Sequence, residues 1–169
     1  NGGVELHADT NLGNASVALD DGTGGTEALT LTAAQATGRV ITDDANESLV
    51  ITGLAGDTDL SGITLGGTGG ITINMADEGA ADVSGNANFL AADAGNTALA
   101  IALTDSTLTA TAEQLHGATV TGTDGNDAEN VNGSSVVLTG GVAAATGGNT
   151  AYNITGLHDT SVDLTIAAG

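Results

Sequence analysis

The chain has no cysteine, proline or tryptophan, and it has almost no positive charge. Without cysteine, disulfide bonds and thiolate metal sites are excluded. One phenylalanine and one tyrosine leave the core to be packed from alanine, valine, leucine and isoleucine. No apolar run reaches the roughly 18 residues typical of a membrane-spanning helix. These absences favour narrow layers of small aliphatic side chains, and they predict no transmembrane helix.

Charge is the most one-sided feature of the composition. Twenty-one acidic residues stand against one basic residue, Arg39, which gives a formal net charge of −20. Such a chain repels nucleic acid, whose phosphates are bound by clustered lysine and arginine, and it also repels itself. We therefore expect bound calcium to relieve the repulsion. The alternative is an acidic, salt-adapted surface protein without specific calcium sites.

Glycine supplies the turns. Glycine makes up 27 of the 169 residues, about twice its usual share of roughly 7%. It adopts positive φ without steric cost. Between the turns, short segments alternate apolar and polar residues, as half-buried strands do. These segments span residues 16–19, 48–52, 70–75, 98–103, 135–139 and 162–166. The pattern predicts an all-β fold of stacked strands with short helical turns, either β-solenoid-like or a β-sandwich.

Two sequence blocks recur along the chain. Residues 29–38 (LTLTAAQATG) resemble residues 108–117 (LTATAEQLHG), and Ile-Thr-Gly-Leu occurs at both 51–54 and 154–157. The recurrence predicts two repeat units, residues 1–97 and 98–169, which could also pack as one continuous domain.

The first block carries the pattern of a capped helical turn. Thr32 and Gln35, like Thr111 and Gln114, have the spacing of a capping box, in which each side chain bonds the other residue's backbone. Gly38 and Gly117 stand where a left-handed residue would end the turn. Each block therefore predicts a strand, one helical turn, a glycine stop and a second strand.

Asp57, Asp59 and Ser61 alternate before Gly62, which predicts a calcium loop. Calcium prefers six to eight oxygen ligands, and this spacing curls three of them towards one point. The twelfth position of the loop holds Thr68 where an EF-hand has a bidentate glutamate. The alternative is a solvated turn.

Other acidic residues are weaker metal candidates. Asp159 and Asp163 follow the second Ile-Thr-Gly-Leu block, although their alternation also fits the wet face of a strand. Asp43 and Asp44 adjoin a predicted strand end, where loops of neighbouring layers could share an ion. Solvated turns are the alternative here too.

Residues 122–130 (GTDGNDAEN) resemble one copy of the hemolysin-type (RTX) nonapeptide. In that family the glycines and aspartates bind calcium between stacked turns, which implies Asp124, Asn126 and Asp127 as ligands. Thr123 and Glu129 depart from the pattern, and no second copy follows. The acidic, lysine-free composition also resembles that of bacterial surface-layer proteins and RTX-like adhesins.

These features together predict a calcium-stabilised extracellular structural module that self-assembles, as a surface layer, filament or adhesin repeat. Its partners would be identical subunits or neighbouring modules, with no nucleic acid and no membrane insertion. The sequence lacks nucleophile-elbow, phosphate-loop and dinucleotide motifs, so we expect no enzyme. The alternative is a module that recognises glycan or ice through threonine ladders, Thr107-x-Thr109-x-Thr111 and Thr119-x-Thr121-x-Thr123. A carbohydrate cleft generally needs aromatic platforms, which this chain hardly offers.

Overall fold

A computed structural model describes most of the chain. The described residues are 3–19, 28–43, 47–65, 69–89, 98–111, 114–115, 118–123, 134–139, 153–156 and 165–166. In these ranges the chain forms fourteen strands and one four-residue helix. The elements are β1 (Val4–Glu5), β2 (Val17–Leu19), β3 (Ala28–Thr32), α1 (Ala33–Ala36), β4 (Ile41–Asp43), β5 (Ser48–Thr52), β6 (Ile63–Thr64), β7 (Gly70–Asn74), β8 (Ala80–Asp82), β9 (Ala98–Thr104), β10 (Thr107–Thr111), β11 (Thr119–Thr123), β12 (Ser135–Thr139), β13 (Asn153–Gly156) and β14 (Thr165–Ile166).

The strands stack in parallel, coil upon coil. Sheet A has the order β1-β3-β5-β7-β9-β11-β13, sheet B has the order β2-β4-β6, and sheet C has the order β14-β12-β10-β8. Each odd-numbered strand therefore extends sheet A, and each even-numbered strand extends sheet B or sheet C. The predicted all-β fold is confirmed in its β-solenoid-like form. The sequence had left open whether the strands run parallel or antiparallel.

Register alignment builds the core as columns of aliphatic side chains. Leu31, Ile51, Ile73, Ile101 and Val120 are direct partners in successive strands of sheet A, and each is at most 1% exposed. Strands in a sheet lie about 4.8 Å apart, so each branched side chain packs directly on the one below. The core therefore needs no wide interior, and this explains how one buried phenylalanine, Phe89, suffices.

The predicted capping box is present at α1. Gln35 Oε1 accepts a hydrogen bond from the Thr32 amide at 2.9 Å, and Thr32 Oγ1 accepts one from the Gln35 amide at 3.2 Å. The side-chain nitrogen of Gln35, Nε2, reaches the preceding coil and donates to the carbonyls of His7 and Thr10 at 2.9 and 3.1 Å. One buried side chain thus caps its own turn and also ties down the turn beneath it.

Gln114 repeats this arrangement three coils later. Its Oε1 accepts from the Thr111 amide at 2.8 Å, and its Nε2 donates to the carbonyls of Val83 and Asn86 at 2.6 and 2.9 Å. The side chain of Asn86 in turn donates to the carbonyls of Gly56 and Thr58. These corner amides (Gln35, Asn86 and Gln114) therefore link turns of successive coils.

The two sequence blocks occupy different places in the solenoid. Residues 29–32 lie in β3 of sheet A, whereas residues 108–111 lie in β10 of sheet C. Ile51 and Ile154, by contrast, occupy the same register position in sheet A. The strand ladder passes the predicted boundary between residues 97 and 98 through the pairing of β7 with β9.

We predict that Gln35→Ala lowers the free energy of unfolding by about 2–3 kcal/mol, because it removes three hydrogen bonds and leaves their backbone partners under-satisfied. Urea denaturation followed by circular dichroism measures the change. Thr42→Ala, at an exposed position of β4, is the matched control and should change the unfolding free energy little. Equal effects of the two substitutions would show that the corner amide does not tie the coils together.

Candidate calcium turns and the uncharged face of sheet A

Ten acidic residues lie in the described ranges, and seven of these ten lie between strands. Of the 21 in the chain, three lie in the strands described above: Glu5, Asp43 and Asp82. Strand residues alternate between a core face and an outer face, and a carboxylate on the core face would need compensation. In the part of the chain that the structure describes, the segments between strands therefore carry most of the negative charge.

The predicted calcium loop at residues 57–61 forms a tight turn around Asp59. One oxygen, Asp59 Oδ1, accepts hydrogen bonds from the amide and the hydroxyl of Ser61, at 3.0 and 2.7 Å. Between them Leu60 points into the core and is fully buried. Asp57 lies exposed two residues earlier. The structure thus brings Asp59 and Ser61 together. Their two hydrogen bonds explain why an aspartate and a serine stand two residues apart here, without a metal ion.

The same turn recurs at Asp82, which the sequence analysis missed. Asp82 Oδ1 accepts from the amide and the hydroxyl of Ser84 at 3.0 and 2.6 Å, over a fully buried Val83. The signal was present in the sequence, because residues 59–62 and 82–85 share the pattern Asp-aliphatic-Ser-Gly. The hydroxyl of Ser84, followed by its backbone amide, lowers the pKa of Asp82 from its ordinary value.

The remaining metal candidates are divided between described and undescribed residues. Asp43 ends β4 and is half-buried. Six candidates lie outside the described residues: Asp44, Asp124, Asn126, Asp127, Asp159 and Asp163. Within the described ranges, no three or more histidine, aspartate or glutamate side chains are grouped closely enough to hold a metal ion. Calcium binding therefore stays a prediction.

Arg39, the one basic side chain, is committed to the backbone. Its Nη1 donates to the Ala15 carbonyl at 3.0 Å, and its Nε donates to the Gln35 carbonyl. Beside it lies a cavity of about 260 Å³, lined by residues 13–16 and 37–40. The guanidinium thus joins the turn of the first coil to the end of α1.

The outward face of sheet A carries no charge over five neighbouring strands, and it is bordered by Glu5 of β1, the register partner of Thr30. Five neighbouring strands, β3, β5, β7, β9 and β11, direct small or uncharged side chains outward. We call this surface the uncharged face of sheet A; its residues are Ala28, Thr30, Thr32, Ser48, Val50, Thr52, Gly70, Thr72, Asn74, Ala100, Ala102, Thr104, Thr119, Thr121 and Thr123.

The register aligns these residues in two main columns. One column runs through Thr30, Val50, Thr72, Ala100 and Thr119, and the other runs in parallel two residues further along each strand. The predicted threonine ladder at residues 119–123 belongs to this face. The ladder at residues 107–111 belongs to sheet C, so the two ladders do not form one array.

Comparisons with protein-family models, with curated proteins and with solved structures found no match to this chain. In the described part of the chain, no helix combines the length and the apolar character needed to cross a membrane.

We predict that Ser84→Ala raises the pKa of Asp82 towards its ordinary value, because the largest cause of the lowered pKa is the Ser84 hydroxyl. In the folded protein the pKa of Asp82 lies below the unfolded value of about 3.9. The ionised carboxylate therefore adds stability above that value, and this stability is lost as the pH falls through the folded pKa. An NMR titration of Asp82 measures the shift. An unchanged pKa in Ser84→Ala would contradict the assignment, and Ser16→Ala, at an exposed serine, is the control.

Proposed function

We propose that this chain is a structural β-solenoid module of an extracellular assembly, in which copies or neighbouring modules stack end to end and calcium relieves charge repulsion. The continuous parallel ladder of sheet A carries the proposal. Among the described strands, every internal strand of that ladder is paired on both sides, and the outer strands are β1 and β13.

Among the described strands, β1 is paired on one side only, with β3. The Leu6 amide donates to the Thr30 carbonyl at 3.1 Å, so the amide of the preceding residue, Glu5, points away from β3. Both residues of β1 are exposed, and Val4 is 56% exposed. Edge strands pair with further strands unless proline, charged side chains or a bulge block them. The chain has neither proline nor lysine, and the one charge on β1 is that of Glu5. This edge supports end-to-end stacking.

The charge distribution supports a role for divalent cations. A net charge of −20 destabilises a compact body through self-repulsion, and most carboxylates of the described residues lie between strands. Within the proposal, calcium is held by the RTX-like residues Asp124, Asn126 and Asp127 and by turns such as that of Asp57 and Asp59. The proposal includes no catalysis, because the one basic side chain is committed to backbone carbonyls and the sequence lacks nucleophile and cofactor motifs.

We predict that calcium raises the melting temperature more than sodium chloride or magnesium does at equal ionic strength. Calcium at a hundred times its dissociation constant stabilises by about 2.7 kcal/mol per site, and this corresponds to a rise of roughly 5–10 °C for a domain of this size. Scanning calorimetry with and without chelator measures the change. An equal rise in any of the salts would instead indicate charge screening by a salt-adapted protein.

We predict that Glu5→Pro reduces end-to-end association in calcium, because proline removes the amide that points to the open edge. Glu5→Gln is the matched control, since it removes the same charge and keeps the amide. Small-angle scattering measures the maximum particle length as concentration rises. Elongated particles should form with the wild type and with Glu5→Gln but not with Glu5→Pro. Identical particle lengths for all three proteins would rule out β1 as a stacking edge.

A further inference from the structure

The uncharged face of sheet A is unlike the rest of this acidic molecule. The chain carries 21 carboxylates, yet five adjacent strands show none on their outward side. The neighbouring sheet C does carry one at its outer surface, Asp82. A surface of five strands without a charge is therefore a local departure from the composition, and it lies on the sheet that runs through every coil.

We infer that this face is a lateral contact surface, on which a second copy of the chain packs sheet against sheet. The inference rests on the proposed structural role and names a second contact for it, at right angles to the stacking edge. Stacking through β1 extends a rod along its axis, whereas contact through this face joins rods side by side.

The net charge of the chain indicates which partner can pack on the uncharged face. Two copies of a molecule with a net charge of −20 repel each other, and contact through the acidic turns would bring carboxylates against carboxylates, which is costly across an interface. Contact through the uncharged face keeps the carboxylates at the rim, within reach of salt and calcium. A strongly basic partner would find no carboxylate on this face, and a neutral sheet of the same kind is its natural complement.

Shape also suits sheet-on-sheet packing. Packed sheets lie about 10 Å apart, with small and branched side chains interdigitating. Thr30 and Thr72 are half-buried by their in-register neighbours, and β-branched side chains have restricted χ1 angles. Little conformational entropy is therefore lost when a second sheet covers them. Aromatic platforms for a sugar are absent from this face.

The size of the face predicts a weak contact that depends on many copies. The face is four strand spacings of about 4.8 Å wide and five residues of about 3.3 Å long, so its area is roughly 300 Å² on each copy. The resulting total of about 600 Å² is below the roughly 1,200 Å² of a stable standard interface. One pair of modules should therefore dissociate readily, and rods with several stacked modules should hold together through multivalency.

Thr72→Asp tests the inference, with Thr64→Asp as the matched control. Thr72 lies on β7, the central strand of the uncharged face, whereas Thr64 is exposed on β6 of sheet B. Both substitutions add one negative charge, so the net charge is matched and only its location differs. Sedimentation velocity over a concentration series in calcium should show self-association of the wild type and of Thr64→Asp. For Thr72→Asp we expect the dissociation constant to rise at least about tenfold, because like charges then meet across the contact.

A second measurement uses the absence of cysteine. Thr72→Cys and Thr64→Cys each give the chain a single thiol. A bismaleimide whose spacer is as long as the uncharged face can join the thiols of two copies, wherever the symmetry axis of the dimer lies. Cross-linked dimers should form at lower concentrations with Thr72→Cys than with Thr64→Cys. Circular dichroism and the melting temperature establish that each variant is folded.

The outcomes separate this inference from the proposed function. If Thr72→Asp associates as Thr64→Asp does while Glu5→Pro does not, stacking stands and the lateral contact is overturned. A wild type that stays monomeric at every concentration in calcium overturns both. A monomeric wild type that inhibits ice recrystallisation, an activity lost in Thr72→Asp, would assign the face to ice and would equally overturn the lateral contact.

Discussion

In-register parallel pairing in sheet A is the interaction on which the rest of this structure depends. The pairing places Ile51 between Leu31 and Ile73, and it repeats this placement from coil to coil. A slip by one residue would turn a whole column from the core to solvent, because side chains alternate with a period of two. The same register also aligns the outward residues, so the columns of the core and the columns of the uncharged face both follow from it.

The ladder of sheet A keeps its register although its coils differ in length, and corner amides link some of its turns. Successive column residues are separated by as few as 19 positions, between Ile101 and Val120, and by as many as 34, between Val120 and Ile154. Gln35 and Gln114 each bond the turn of the preceding coil. Each amide satisfies backbone groups that a helical turn or a corner would otherwise leave unpaired.

The alternation of side chains along the strands also separates charged from uncharged residues. Strands offer a core face, which excludes carboxylates, and an outer face, which in sheet A carries none on its five central described strands. In the described ranges, most acidic residues are left to the segments between strands. The proposed calcium dependence and the proposed lateral contact are thus two consequences of one separation of charged turns from an uncharged sheet.

Local patterns in the sequence determined the strands and the capping box, because alternation and the Thr-x-x-Gln spacing act within a few residues. Residues 48–52 and 135–139 are strands at the predicted bounds, and Gln35 caps α1 as expected. Only the tertiary structure decided which strands pair. The alike blocks at 29–32 and 108–111 belong to different sheets, since pairing depends on where the preceding coil places its strand. It also showed that Asp59, a predicted metal ligand, and Asp82, which was not predicted, hold equivalent serine-bonded turns.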